Sequence, residues 1–513
     1  MSTGLRRNRT AQPDREGEPR APTLLWFRQD LRLEDNPALA AAIERGGPVI
    51  PVYILDERGE GRWAPGAASR WWLHFSLAAL GESLRKAGSR LILARGDSAT
   101  VLRRLARRTK ASAVYWNRRH EPMAAARDRK IADEFGERGL EVRIFSSALL
   151  FEPEAIANKE GRPFQVFTPF WRHCLTQTVP DPVKCRLARI ATPRPWPSSL
   201  SLKQLKLRPA IPWDAGLAAM WTPGERGARA RLRRFLAQSL DSYAEERNRP
   251  DRAGSSELSP HLHWGELSPR QVWAAVKARS RDTGVFPSGN GARVFLAEIG
   301  WREFAHHLLA HFPAAPQRPL RSEFARFKWN PDPGKKAWRC WCRGRTGYPV
   351  VDAGMRQLWH TGWMHNRARM IVASFLVKDL RLAWLRGAEW FWDTLVDADL
   401  ANNTLGWQWS AGCGADAAPY FRIFSPVLQG RKFDPRGDYV RRWVPELRRL
   451  EGSAVHAPWE LSALELAEAG VELGRNYPNR VVDHAAARRA ALLAWKVMRR
   501  KAAGSVRAEL AAD

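Results

Sequence analysis

The chain has 513 residues, 83 Lys+Arg against 53 Asp+Glu for a formal net charge of +30, and 25 Trp, more than its 20 Phe or 7 Tyr. At 44% hydrophobic it is too apolar for wholesale disorder, and it is long enough to bury more than one core. The charge is foreign to an ordinary metabolic enzyme and points to a polyanion, either nucleic acid or an anionic membrane, although an Arg-favouring genome accounts for part of it.

Residues 1–22 are polar, basic and Pro-containing, lack the apolar stretch of a signal peptide, and read as a disordered arm. From 23 to 150, short apolar strands alternate with helices. Strands are expected over 23–27, 49–55, 90–94, 113–116 and 142–145. Helices are expected after Asp35-Asn36-Pro37, where Asn can cap and Pro suits the first turn, and over 98–108 and 122–136. Strands without polar alternation imply a parallel sheet covered on both faces, so this domain is α/β and Rossmann-like. No Gly-x-Gly-x-x-Gly follows its first strand, which argues against a standard dinucleotide site there.

Residues 151–223 form a long linker, rich in Pro from 180 onward and read as a connector rather than a packed element. Over 224–490 the periodicity becomes helical, as in 228–239, 269–279, 292–311 and 352–378, giving an all-helical second domain. Residues 484–513 are a basic helix, with 491–513 assigned to a C-terminal tail. The longest apolar run, 370–377, is far short of the ~20 residues of a membrane helix, so no membrane partner is expected. Five scattered Cys fit a reducing cytoplasm. No second Cys/His pair accompanies Cys340 and Cys342 at zinc spacing, so no metal is expected.

Three segments could carry chemistry. Thr361-Gly-Trp-Met-His-Asn-Arg-Ala-Arg-Met370 puts Asn366 and Met370 on one helix face, with polar groups beside an apolar run that must be buried. Asp397-Ala-Asp-Leu-Ala-Asn-Asn-Thr-Leu-Gly-Trp-Gln-Trp409 sets carboxylates and amides beside indoles, suited to holding a heterocycle. Gly254-Ser-Ser-Glu-Leu-Ser-Pro260 offers hydroxyls and N–H groups to a phosphate at a helix start. Taken singly, each is more simply an amphipathic helix, a capped loop or a helix N-cap.

Together, in this order and with Phe295-Leu-Ala-Glu-Ile-Gly-Trp-Arg-Glu-Phe304 between them, they closely resemble the photolyase/cryptochrome family. Within it they are most similar to the class I cyclobutane pyrimidine dimer photolyases. The resemblance runs from Leu24-Leu-Trp-Phe-Arg-Gln-Asp-Leu-Arg-Leu-Glu-Asp-Asn-Pro37 to about Leu447, and includes Asp416-Ala-Ala-Pro-Tyr-Phe-Arg-Ile-Phe-Ser-Pro426.

The resemblance implies FAD in the helical domain. Tyr243, Ser255, Ser256, Glu257, Leu258 and Ser259 match the diphosphate and adenine side, with Ser255 where Thr is common. Asp399 matches a residue accepting from a ring N–H, Asp397 one that pairs with Arg369, and Asn403 the residue facing flavin N5. Plant cryptochromes typically carry Asp there and animal ones Cys, so the amide favours repair over signalling. Trp301 and Trp409 match the walls of a pocket for a flipped-out lesion, which enzymes of this kind extrude from the duplex. Glu298 and Asn366 match its hydrogen-bonding groups and Met370 its packing residue, while Arg247 and Arg367 match phosphate contacts. The absence of His at Asn366 and Met370 argues for cyclobutane over (6-4) lesions. The implied mechanism is light-driven: excited reduced FAD gives an electron to the dimer, both ring bonds break, and the electron returns. Trp407, Trp384 and Trp329 match a chain that reduces oxidised flavin, although the Trp329–Trp341 spacing is two residues longer than the family's.

The first domain would hold an antenna chromophore, methenyltetrahydrofolate or a deazaflavin, near Asn117-Arg-Arg-His-Glu121, a loose match that does not choose between them. The expected partner is ultraviolet-damaged DNA, met by a cytoplasmic monomer with no obligate protein partner. The competing expectation is a cryptochrome-type photoreceptor without repair activity.

Overall fold

In this computed structural model, residues 20–280, 290–417 and 421–509 are described. The expected arm lies outside them except for its last three residues, as do 418–420 of the Asp416–Pro426 motif and the last four residues.

The first domain is a five-stranded parallel sheet in the order β3-β2-β1-β4-β5. Its strands are β1 (Thr23–Phe27), β2 (Val49–Leu55), β3 (Ile92–Arg95), β4 (Ala113–Asn117) and β5 (Glu141–Phe145). Helices α1 (Pro37–Arg45), α2 (Ala67–Lys86), α3 (Ser98–Thr109) and α4 (Pro122–Glu137) cover it. Alternate residues of each strand feed two cores, which is why the strands are apolar without interruption. Leu25 and Phe27 pack with Leu39, Trp71 and Trp72, whereas Leu24 and Trp26 pack with Leu102, Leu105, Ile131 and Phe135. Only β5, at the edge, is largely exposed. The expected cap of α1 is present: Asn36 Oδ1 accepts from Leu39 N–H (3.1 Å).

Sequence reading missed α2 altogether. Its polar atoms are spent on both sides, Trp71 Nε1 on Asp214 (2.9 Å) and Trp72 Nε1 on Glu266 (2.9 Å), so no single apolar stripe marks it.

The linker is packed, contrary to expectation. Residue 191 bonds to the first residue of β2, Val49 N–H to Ala191 O (2.9 Å), residue 200 bonds to the edge strand β3, Leu200 N–H to Leu93 O (2.9 Å), and Leu205, Leu207 and Trp221 complete the first domain's core. A further helix, α5 (Phe167–Cys174), docks instead on the second domain through Phe170, Trp171 and Cys174.

The second domain is helical. The helix expected over 352–378 is broken. Pro349–Thr361 ends at Gly362, whose left-handed conformation (φ 66°) suits Gly, and Asn366–Ser374 starts a new helix that widens into a π-turn over Phe375–Asp379. The boundary at 490 also fails. His484–Glu509 is one helix, with Ala491 and Met498 buried and Trp495 stacked on Phe421 (5.8 Å between centroids). Among the described residues, no helix is long and apolar enough to cross a membrane.

Candidate active site

Helices Asn290–His311 and Asn366–Ser374 both pack against helix Leu400–Ala411. That convergence gathers Glu298 and Trp301 from the first, Asn366, Arg367, Arg369 and Met370 from the second, and Asn403, Trp407 and Trp409 from the third.

At the start of Asn366–Ser374, burial and then Arg367 and Arg369 push the His365 imidazole down to about 3. His365 is therefore neutral, and its Nδ1 caps the helix by accepting from Arg367 N–H (3.1 Å). This leaves Asn366 exposed and Met370 half-buried one turn on. Arg369 donates through Nε to Met364 O (2.8 Å) and through Nη2 to Asp397 Oδ2 (2.8 Å). Asp397 is buried, and its Oδ1 has no hydrogen-bond partner among the described residues.

Asp399 caps the next helix with Oδ1, which accepts from Asn402 N–H (2.9 Å) and Nδ2 (2.8 Å). Its Oδ2 lies between His306 Nε2 (3.3 Å) and His263 Nδ1 (3.5 Å). Burial alone would raise this carboxyl, but the two imidazoles outweigh burial and hold it well below the usual carboxylate range. Sequence reading missed both histidines, because His on an apolar helix carries no spacing signal. Asn403 donates through Nδ2 to Ala388 O (3.0 Å), which turns its Oδ1 away as an acceptor.

Glu298 pairs with Arg247 Nη2 (2.6 Å), and Arg247 lies over the Tyr243 ring (5.8 Å). Burial raises the Glu298 carboxyl, opposed by that guanidinium. Arg367 Nη2 donates to Asn248 Oδ1 (2.6 Å), with its guanidinium over Phe433 (4.2 Å). Trp301 stacks face to face on Phe167 of α5 (3.8 Å, 9°), and Trp409 meets Phe424 (6.4 Å).

The Ser255 loop rides on the Tyr243–Glu246 turn: a Cβ on Gly254 would lie 2.9 Å from Glu246 C. Ser256 Oγ accepts from Leu258 N–H (3.4 Å), Ser259 Oγ from Trp363 Nε1 (3.3 Å), and Glu257 is bonded to Arg231.

The indole in ring contact with Trp407 is not one of those matched to the electron chain. Trp407 is buried and touches Trp341 (6.2 Å) and Phe391 (5.0 Å). Trp341 stacks on Trp338 (5.5 Å), Trp338 meets Trp390 (6.0 Å), and Trp390 stacks on the exposed Trp359 (6.0 Å, 9°). Trp384 is buried in the same core and Trp329 packs on Phe327 (4.6 Å), but neither has a ring contact with Trp407 among the described residues. The Ala-Trp-Arg-Cys-Trp run at 337–341 carried the missed signal.

The loose antenna match is closed. Asn117 Nδ2 is spent on Asp30 (2.6 Å) and Asn36 (2.8 Å), and Arg119 bridges Glu60 (2.7 Å) and Glu121 (3.0 Å). The adjoining cavity, about 20 Å³, has room for a water molecule. A cavity of about 940 Å³ lies elsewhere, walled by Trp338, Trp359, Trp390 and Trp443, with Arg339, Arg343 and Arg442 at its rim.

The donor set fits a reduced flavin. Its ring offers N–H groups; among the described residues Asp397 Oδ1 is a buried acceptor without a partner, and Asn403, its Nδ2 spent on Ala388 O, has Oδ1 as its acceptor. Comparison with known proteins supports FAD as the flavin. Residues 23–188 match the family model described as DNA photolyase, and 295–497 match the FAD binding domain of DNA photolyase. The chain is 50% identical over 485 residues to a deoxyribodipyrimidine photo-lyase of Agrobacterium fabrum, covering 94% of this chain and 98% of that one. It is 41% identical to Cryptochrome-1 of Arabidopsis thaliana over 91% of this chain and 69% of that one. The solved structure of a bacterial class III photolyase from Agrobacterium tumefaciens superposes with a TM-score of 0.90 at 48% identity, covering 96% of this chain and 100% of that one.

Proposed function

The chain belongs to the photolyase/cryptochrome family, and from that premise we propose that it repairs cyclobutane pyrimidine dimers in DNA, driven by light through bound FAD. The observation that carries this reading is Asn403, whose Nδ2 is spent on Ala388 O and so leaves Oδ1 to accept, on a helix packed against the one that bears Arg369 of the Arg369–Asp397 pair. That arrangement offers acceptors and no ready proton, which suits a flavin kept fully reduced.

Reduced FAD, once excited, supplies the electron that opens the cyclobutane ring. The chain's own residues bind and orient. Arg369 neutralises Asp397, while Asp399, matched to the ring N–H, and Asn403 Oδ1, facing N5, are the acceptors toward the ring. Tyr243 and residues 255–259 face the diphosphate and adenine side. Trp301 and Trp409 wall the extruded dimer, Met370 packs on it, and Glu298 and Asn366 hydrogen-bond it. Arg247 and Arg367 take the flanking phosphates, a contact that reads no sequence. Trp407, with Trp384 and Trp329 or the contiguous indoles from Trp341 outward, delivers electrons to oxidised flavin.

Within the family the sequence resemblance favoured class I. The relative titled class III is similar over nearly the whole chain, and we place this chain beside it. A photoreceptor without repair is the second reading, supported by the identity to Cryptochrome-1. The Asn403 amide argues against it. For a second chromophore, the large tryptophan-lined cavity is the better site. The stacked Trp359–Trp390 pair gives one wall a flat aromatic face for a conjugated ring to lie on, and the three rim guanidiniums, which have no acidic partner among the described residues, suit a carboxylated pteridine over a neutral ring.

Binding tests the assignment. In darkness the protein should hold a dimer-containing duplex more tightly than the same duplex undamaged, and Asn366→Ala or Trp409→Ala should erase most of that preference. Equal affinity of the unaltered protein for both duplexes would sink it.

A further inference from the structure

The tightest aromatic stack at the lesion pocket involves a residue from outside the helical domain. Phe167, the first residue of α5, lies on Trp301 with ring centroids 3.8 Å apart and planes 9° from parallel. Such a separation is full face-to-face contact, so Phe167 covers one face of Trp301 and fixes the plane of its ring.

The segment bearing Phe167 is fastened at several points. Phe164 N–H donates to His307 Nε2 (3.0 Å), and Asp416 N–H donates to Gln165 O (3.1 Å). One turn on, Trp171 lies against Gly300, the residue before Trp301, so closely that a Cβ there would sit 2.5 Å from the indole. Phe170 packs against Phe304 (5.1 Å). Phe167 is thus held by main-chain bonds and by a neighbour that needs Gly300, and it has no other polar or charged duty. Yet both Phe167 and Trp301 remain half-buried, at the rim and not in the core.

We infer that Phe167 is a positioning residue for dimer recognition: it sets the angle at which Trp301 meets the extruded lesion, so α5 of the connecting segment is part of the lesion site. The inference rests on the reading of Trp301 as a lesion wall. Loss of the stack leaves Trp301 free to rotate, and ordering it again is then charged to lesion binding. An aromatic pair of this kind corresponds to a ~3- to 10-fold change in affinity.

The experiment compares Phe167→Ala, Phe167→Leu, Phe167→Tyr and Trp301→Ala with the unaltered protein. Each flavin-loaded protein is titrated in darkness with dimer-containing and with undamaged duplex, and its flavin content and thermal midpoint are recorded. Phe167→Ala and Phe167→Leu should weaken dimer binding ~3- to 10-fold and leave undamaged duplex alone, while Phe167→Tyr, which restores the plane, should bind as the unaltered protein does. Leu keeps apolar volume, so it separates loss of the plane from a simple cavity. Unchanged dimer affinity in Phe167→Leu, or equal weakening toward both duplexes, overturns the inference. If Trp301→Ala also binds dimers normally, the fault lies with the site reading beneath it.

Discussion

Gly387 and Gly406 offer a matched pair of substitutions around Trp407, the buried indole proposed to begin the electron chain. Gly387 lies inside helix Trp384–Thr394, where a Cβ would sit 2.1 Å from Trp407 Cη2, 2.4 Å from Cζ3 and 2.6 Å from Leu376 Cδ2. Ordinary carbon contact is ~3.5 Å, so in Gly387→Ala the Trp407 ring must retreat by about 1.4 Å from a site where it is 2% exposed. Overpacking of this order costs ~1–3 kcal/mol, against which Ala in a helix returns ~1 kcal/mol, leaving a net loss of ~0–2 kcal/mol. Gly406 is in helix Leu400–Ala411, one residue before Trp407, is exposed, and has nothing within 4 Å of its notional Cβ. Gly406→Ala should therefore stabilise by ~0.5–1 kcal/mol. Urea unfolding measures both values, and flavin photoreduction under blue light reads the function. Gly387→Ala should photoreduce more slowly, whereas Gly406→Ala should match the unaltered protein. If Gly387→Ala were as stable as Gly406→Ala and photoreduced normally, Trp407 would not be wedged as described, or would not carry the electron.

Other outcomes follow from the same geometry. Trp407→Phe should slow photoreduction while largely sparing repair by chemically pre-reduced enzyme; loss of both would refute separate roles for Trp407 and the lesion pocket. Asn403→Asp puts a carboxyl where the amide faces, and once ionised it repels a reduced, anionic flavin. A redox titration should find the two-electron midpoint lower by about 30 mV for each ~1.4 kcal/mol of repulsion, and an unchanged midpoint would place residue 403 away from the flavin. Burial raises Glu303, opposed by Arg302, to about 7 from the ordinary 4.5. The folded state therefore holds this proton more tightly than the unfolded state, and stability is lost as pH rises from 4.5 to 7, by up to ~3 kcal/mol. Glu303→Gln keeps an oxygen for Leu150 N–H (2.8 Å) and Phe151 N–H (3.2 Å) but should flatten that slope in unfolding titrations; an unchanged slope would show that Glu303 ionises freely.

The sequence made the sheet domain legible because each strand is apolar throughout, and made Asn36 and Pro37 readable because a cap has its own local chemistry. It hid α2, which spends its polar atoms on both sides, and the packed linker, whose prolines look like loop but whose Leu205 and Trp221 fill the sheet's core. It also hid the break at Gly362, where a single left-handed residue interrupts an otherwise continuous helical period. Site residues on one helix, such as Asn366 to Met370, could be grouped by spacing alone. What spacing could not reveal were contacts made across the fold: His263 and His306 on Asp399, Phe167 on Trp301, and Trp341 rather than Trp384 against Trp407.

Light-dependent turnover is the most direct test of the central claim. The purified protein, with its flavin fully reduced, is mixed with ultraviolet-irradiated DNA, and remaining dimers are counted after equal times in blue light and in darkness. The account predicts repeated turnover in light, none in darkness, and failure of turnover in Trp301→Ala at DNA concentrations that saturate the unaltered protein. Dimers that persist in blue light, with the flavin demonstrably reduced and the DNA bound, would contradict it.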